Sequence, residues 1–216
     1  NRDGIYTPQV FDAEQLMRAS IRKFIELTAT TLPIRGSIYE FGAWQPKGQE
    51  STADLRGIFP GIEYVGCDMR PGKGVDRVLD LHAIELPDAS VATVISCDTF
   101  EHVEYPRQAI AEIHRILDPL GMLIITSVMN FPIHEYPHDY WRFTPEGLRS
   151  LLKPFASSFI GSFGDEPEHP QTVVGIGFKG DPPELEEFER GYRHWQQRAN
   201  EIMRKLRAES ESLSPK

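Results

Sequence analysis

Short apolar, β-branched runs alternate along the chain with longer stretches whose apolar residues recur every three to four positions. The runs are Ser37–Phe41, Glu63–Cys67, Val75–Leu79, Val91–Ser96 and Met122–Val128, and the first four close on Gly42, Asp68, Asp80 and Cys97-Asp98. Apolar runs of this length bounded by turn residues read as buried strands. Residues 12–30 line up Leu16, Ala19, Ile21, Phe24, Ile25 and Leu27 on one side of a helix, with Asp12 as its N-cap and Pro33 beyond its end. Residues 106–117 do the same with Ala109, Ile110, Ile113, Ile116 and Leu117, and Pro119 and Gly121 stop them. Strands alternating with helices dictate a parallel sheet covered on both faces, and right-handed crossovers make it doubly wound. Phe155–Gly164 and Thr172–Lys179 then follow one another across a Pro-containing turn with no room for a helix, so they are expected to pair antiparallel. The expected fold is therefore α/β, a doubly wound, mostly parallel sheet of seven strands finished by an antiparallel hairpin. A dinucleotide-binding dehydrogenase would add another βαβ unit and carry Gly-x-Gly-x-x-Gly, which this chain lacks.

The pattern changes after residue 182. Leu185, Phe188, Tyr192, Trp195, Ala199, Ile202 and Leu206 are spaced 3, 4, 3, 4, 3, 4, the seam of a heptad helix. Glu184, Glu186, Glu187 and Glu189 crowd its start and Arg204, Lys205 and Arg207 its end, which suits the helix dipole. Gly191 costs about 1 kcal/mol inside such a helix. Two readings stay open: a helix folded back on its own domain, or a coiled coil to a second subunit or a longer parent chain. The expected organisation is a domain over 1–182, a helix over 183–209 and a tail over 210–216.

Composition narrows the partners. A chain of 216 residues suits one α/β domain, large enough to stay folded without disulfides or a structural metal. The net charge of −9, with no basic cluster before the last helix, argues against a nucleic-acid partner. No run approaches the roughly 20 apolar residues of a membrane span, and Asn1-Arg2-Asp3-Gly4 lacks the apolar core of a signal peptide. Cys67 and Cys97, both at strand ends, read as buried thiols in a reducing, cytoplasmic setting.

In a doubly wound sheet the ligand sits beyond the carboxyl ends of the strands. Those ends carry Glu40 with Gly42, then Asp68, Asp80 and Cys97-Asp98. A glycine lets the backbone approach a ligand. A carboxylate after the second strand can accept both hydroxyls of a ribose, and Asp80-Leu81 offers an acceptor for an amino group beside an apolar cover for a ring.

Ile38–Gly42, Tyr64–Asp68, Val78–Leu81 and Ser96–His114 followed by Leu117-Asp118-Pro119-Leu120-Gly121 resemble the successive motifs of class I S-adenosylmethionine (SAM) dependent methyltransferases. The likeness is to the broad type 11 group that includes ubiquinone-type and sugar or natural-product enzymes. It spans about residues 36–180, with Glu101-His102-Val103 as its most specific part. The resemblance implies SAM as cofactor, with Glu40, Gly42, Ala43, Asp68, Met69, Asp80, Leu81, Cys97 and Asp98 as its contacts. The family's glycine-rich loop is altered here, because Trp44 and Pro46 stand where its second and third glycines would be. Either the loop takes another path with Trp44 walling the methionine end, or the site is degenerate and the chain is a binding or assembly module.

Methyl transfer needs alignment of a nucleophile with the methyl group, and a hydroxyl acceptor gains from a general base. His102, after the fourth strand, is the first candidate, followed by His138; His134 shares its loop and is expected at the acceptor. Tyr136–Phe143 sets Tyr140, Trp141 and Phe143 beside Asp139 and Arg142, so Tyr140, Trp141 and Arg142 are expected to grip a small or glycan-like acceptor. The competing reading buries the aromatics and spends Arg142 on Asp139. Glu101 and His102 could ligate a metal, but two adjacent residues are weak support and none is expected.

Overall fold

The computed structural model describes residues 8–134, 138–164, 166 and 168–213. Tyr136 and the first four residues lie outside these, as do the side chains of Leu16 and Leu206. The strands are β1 (Ile38–Phe41), β2 (Tyr64–Asp68), β3 (Arg77–Val78), β4 (Val91–Cys97), β5 (Leu117–Val128), β6 (Ser157–Phe163) and β7 (Thr172–Phe178). The helices are α1 (Pro8–Thr31), α2 (Glu50–Ala53), α3 (Pro106–Ile116), α4 (Pro145–Leu151) and α5 (Glu186–Leu213). The sheet runs β3-β2-β1-β4-β5-β7-β6. Its first five strands are parallel, and β7 inserts antiparallel between β5 and β6. This is the seven-stranded sheet with a terminal hairpin expected from the sequence.

Alternate residues of the central strands feed two cores. Val94, Leu123, Ile125 and Val173 face α3 and α4, where Ala109, Ile110, Ile113, Leu148 and Leu151 meet them. Ile95, Met122, Ile124 and Val174 face Phe24 and Ile25 of α1 and Phe188, Tyr192 and Trp195 of α5. Burial on both faces explains why these strands read as continuous apolar runs.

Local chemistry fixes the helix ends. Pro106 and Pro145 open α3 and α4, where a missing N–H costs nothing. The Thr144 hydroxyl caps α4 by accepting from the Gly147 amide at 3.0 Å. Helix α1 begins at Pro8, so Asp12 lies inside it rather than at its cap. Strand β5 begins directly after α3, because Leu117 pairs with Val91 before Asp118–Gly121 shifts the register and Met122 pairs with Thr93.

Helix α5 lies against its own domain. The Phe24 ring sits 5.3 Å from Trp195 and 6.3 Å from Phe188, Phe159 sits 4.8 Å from Tyr192, and Trp195 Nε1 donates to the Ser20 carbonyl at 3.0 Å. Gly191 is where α1 and α5 come closest: a Cβ there would stand 2.4 Å from Leu27 Cδ1. From Phe188 to Ala199 the heptad seam is thus covered by α1 and β6 of the same chain. It drifts by one position at its end, where Met203 is buried and Ile202 is 40% exposed. No helix among the described residues is long and apolar enough to cross a membrane.

Candidate active site

The strand order reverses between β1 and β4, and a cavity of about 430 Å³ opens beyond the carboxyl ends there. Gly42 and Trp44 follow β1, Asp68, Met69 and Arg70 end and follow β2, and Leu79–His82 follow β3. Cys97–Thr99 and Glu101–Glu104 come from the end of β4, and Val128, Phe131, His134, His138 and Tyr140 come from the end of β5 and the loop after it. The main chain brings this about. Gly42 turns at φ +89, and its amide and that of Ala43 both donate to the Cys67 carbonyl, at 2.9 and 3.0 Å. The Gln45 amide donates to the Lys73 carbonyl at 2.9 Å. These bonds carry residues 42–45 along β2 without the two missing glycines. Trp44 lines the cavity wall, with the Arg70 guanidinium 4.9 Å over its ring.

Twelve of the sixteen residues singled out from the sequence line this cavity: Gly42, Trp44, Asp68, Met69, Asp80, Leu81, Cys97, Asp98, His102, His134, His138 and Tyr140. Four do not. Glu40 is buried and accepts from the Tyr64 hydroxyl at 2.8 Å. Ala43 is buried against β2, with its amide on the Cys67 carbonyl and its Cβ facing Gly66. Trp141 is half-exposed and its Nε1 donates to the Val103 carbonyl at 2.9 Å. Arg142, expected at the acceptor, is turned away: its guanidinium donates to both Asp139 oxygens and to the carbonyls of Phe131, Pro132 and Trp141. The competing reading holds for Arg142 and for Phe143, which is core, but not for Tyr140 and Trp141, which are both more than 40% exposed.

Burial sets the protonation of the site. It pushes the Glu40 carboxyl up to about 7 against the Tyr64 hydrogen bond. It pushes Glu101 up to about 8, helped by the Asp98 charge and opposed by the Ser127 hydroxyl, which donates to Glu101 Oε2 at 2.7 Å. Burial also lowers His102, opposed by the His138 carbonyl, 2.6 Å from Nδ1. A carbonyl only accepts, so Nδ1 carries the proton and Nε2 the lone pair. His138 therefore meets His102 through its backbone, while its ring lies on the cavity wall. The Arg142 hydrogen bonds hold Asp139 down near 2.

Asp98 takes φ +46 at the tip of β4, with its carboxylate accepting from the Thr126 hydroxyl at 2.9 Å. A left-handed Asp at a strand end is uncommon and aims the next residues into the cavity. Sequence reasoning passed over Arg70 and Thr99, although both stand within two residues of strand-end acids, a signal that could have drawn attention to them.

The sheet order, the terminal hairpin and a cavity at the switch point define the Rossmann-like fold of class I SAM-dependent methyltransferases. Residues 59–125, which hold the Tyr64–Asp68 and Val78–Leu81 motifs, match the family model described as a methyltransferase domain. The chain is similar to a SAM-dependent methyltransferase from Thermotoga maritima, at 21% identity and TM-score 0.52, over 79% of this chain and 96% of that one. It is similar to the 1,6-didemethyltoxoflavin N1-methyltransferase of Burkholderia thailandensis, solved with 1,6-didemethyltoxoflavin and S-adenosylhomocysteine, at 16% identity and TM-score 0.56, over 80% and 84%. It is also similar to a methyltransferase solved with the Trm112 activator of Haloferax volcanii, at 16% identity and TM-score 0.55, over 81% and 98%. No curated protein sequence matches the chain.

Proposed function

We propose that the protein transfers a methyl group from SAM, held in the switch-point cavity, to an oxygen or nitrogen of a small polar or glycan-like acceptor. One observation carries the reading: the strand-end acids and apolar residues converge on a single cavity of about 430 Å³, within the range of small-molecule sites. The donor set fits the cofactor. Asp68 Oδ1 accepts from the Arg70 amide at 3.0 Å while Oδ2 takes no bond from the described residues, which leaves an acceptor for ribose hydroxyls. Met69 and Leu81 offer apolar faces for the base, and Asp80 stands at the rim for its amino group. Trp44 and Pro46 form wall rather than filling, which favours a working site over the degenerate module.

SAM supplies a methyl on a sulfonium, already a good leaving arrangement. The acceptor would enter beside Tyr140, His134 and His138. As the acceptor's oxygen or nitrogen bonds the methyl carbon and the sulfonium S–C bond breaks, His102 Nε2 takes the acceptor's proton. Burial keeps that imidazole neutral, as a base must be. Two free cysteines, Cys67 and Cys97, and the acidic charge support a cytoplasmic reaction away from nucleic acid.

The test is release of S-adenosylhomocysteine from SAM over a panel of sugars, phenols and amines, with Asp68→Asn and His102→Asn beside the native protein. Turnover on at least one acceptor, lost in both variants, is expected. Folded protein that binds SAM yet turns over none, or equal turnover in Asp68→Asn, would sink the reading.

A further inference from the structure

We propose that Glu101, His102 and His134 form a binding site for one divalent first-row transition-metal ion in the wall of the cavity. One ligand atom from each lies within 4.8 Å of the other two. The rings of His102 and His134 meet edge to face with centroids 4.7 Å apart, although the residues come from different strand ends. Two imidazoles and one carboxylate are the donor set of many zinc and non-haem iron sites, and suit such ions better than calcium or magnesium.

A bland cluster of two histidines and an acid would leave their far sides to chance. Here each is anchored. Glu101 Oε2 accepts from the Ser127 hydroxyl at 2.7 Å. His102 Nδ1 donates to the His138 carbonyl at 2.6 Å. His134 Nδ1 lies 3.2 Å from both the Pro132 carbonyl and Asp139 Oδ2. These partners accept only, so both rings carry their proton on Nδ1 and their lone pair on Nε2, the arrangement in which metal-bound histidines are held. Asp139 is itself clamped by Arg142. A task follows for the Asp139–Arg142 pair, which otherwise only ties a loop to itself.

The remaining oxygen supplies an independent sign. Glu101 Oε1 is fully buried, has no hydrogen-bond partner among the described residues, and lies 3.9 Å from His102 Nε2. A buried carboxyl oxygen without a partner is costly, and an ion between it and the two rings, displacing the carboxyl proton, would satisfy it. Tetrahedral ligation at bonds of about 2.0–2.2 Å sets donors roughly 3.4 Å apart. The side chains therefore close inward by about an ångström, and the loop carrying His134 can follow.

All three residues line the cavity, so the open coordination position faces the acceptor. The ion's use in catalysis rests on the methyl-transfer reading; its binding does not. When bound, it turns His102 from base to ligand. As a Lewis acid it would ease loss of a hydroxyl acceptor's proton to water, while the acceptor oxygen takes the methyl and the S–C bond of the cofactor breaks.

The experiment takes chelator-treated, dialysed protein and titrates it with Zn²⁺ by calorimetry and with Co²⁺ by visible absorption. One equivalent of Zn²⁺ bound at micromolar affinity or better is expected, with Zn²⁺ displacing Co²⁺. Glu101→Gln and His134→Ala should each weaken binding by at least about tenfold, and Asp139→Asn by roughly 10–100-fold through the ligand it orients. His134→Ala changes a loop residue, so it stays informative if Glu101→Gln folds poorly. His194→Ala, an exposed histidine on α5 away from the cavity, should leave binding unchanged. Absence of binding, or binding that His134→Ala and Asp139→Asn leave untouched, would overturn the proposal. Neither readout uses turnover, so failure here leaves the methyl-transfer reading standing.

Discussion

Glu40→Gln should make the protein more stable at mildly alkaline pH and remove part of its pH dependence. Glu40 is 7% exposed, and its carboxyl accepts from the Tyr64 hydroxyl at 2.8 Å. Burial nevertheless dominates and lifts it from 4.5 to about 7. Between those values the folded protein keeps a proton that the unfolded chain has released, so stability falls as pH rises through the window. At 1.36 kcal/mol per pH unit the loss reaches about 3 kcal/mol and then levels off. Glutamine is neutral throughout and its amide oxygen still accepts from Tyr64. The two proteins should therefore match near pH 4.5 and diverge to about 3 kcal/mol in favour of the variant by about pH 8. Urea unfolding at stepped pH reads this as a difference in midpoint at constant slope. The comparison cancels the contribution of Glu101, which titrates in both proteins. A difference that stays flat with pH, or that favours the native protein as pH rises, would refute the reasoning.

Three further outcomes follow from the packing. Gly42→Ala forces a side chain into φ +89 with its Cβ 1.9 Å from Thr99 Oγ1, and should cost about 2 kcal/mol or more in thermal unfolding together with SAM affinity. Trp195→Ala empties the α1–α5 contact and removes the indole hydrogen bond to the Ser20 carbonyl; a loss of about 3–5 kcal/mol is expected in denaturant unfolding. Arg142→Met leaves the Asp139 carboxylate, 3% exposed, without its cation. Stability should drop by about 2 kcal/mol or more, and Asp139 should titrate well above its present value near 2, followed by NMR.

The sheet was legible because its strands are buried on both faces, so Val91–Ser96 and Met122–Val128 stand out as unbroken apolar runs. Helix α3 was legible from a single face that ends at Pro119 and Gly121. The α5 seam was legible up to Ala199, after which a straight helix of 3.6 residues per turn outruns a strict heptad and Met203 replaces Ile202. The strand-end residues of the candidate site follow from topology alone, which is why Asp68, Asp80 and Asp98 reach one cavity. Side-chain commitments were not legible. Spacing cannot tell whether Arg142 faces an acceptor or folds back on Asp139, three residues away. Nor can it bring His134 to Glu101, because that meeting depends on the path of the loop after β5. Nor does the place of Glu40 at a strand end reveal that its side chain is buried and bonded to the Tyr64 hydroxyl.

Calorimetric titration of the protein with S-adenosylhomocysteine, alongside Asp68→Asn, tests the central claim most directly. The account predicts one site of micromolar affinity, weakened roughly 10–100-fold in the variant, as expected for losing a charge-assisted hydrogen bond. Folded protein that takes up no S-adenosylhomocysteine, or a variant that binds it equally well, would contradict the account.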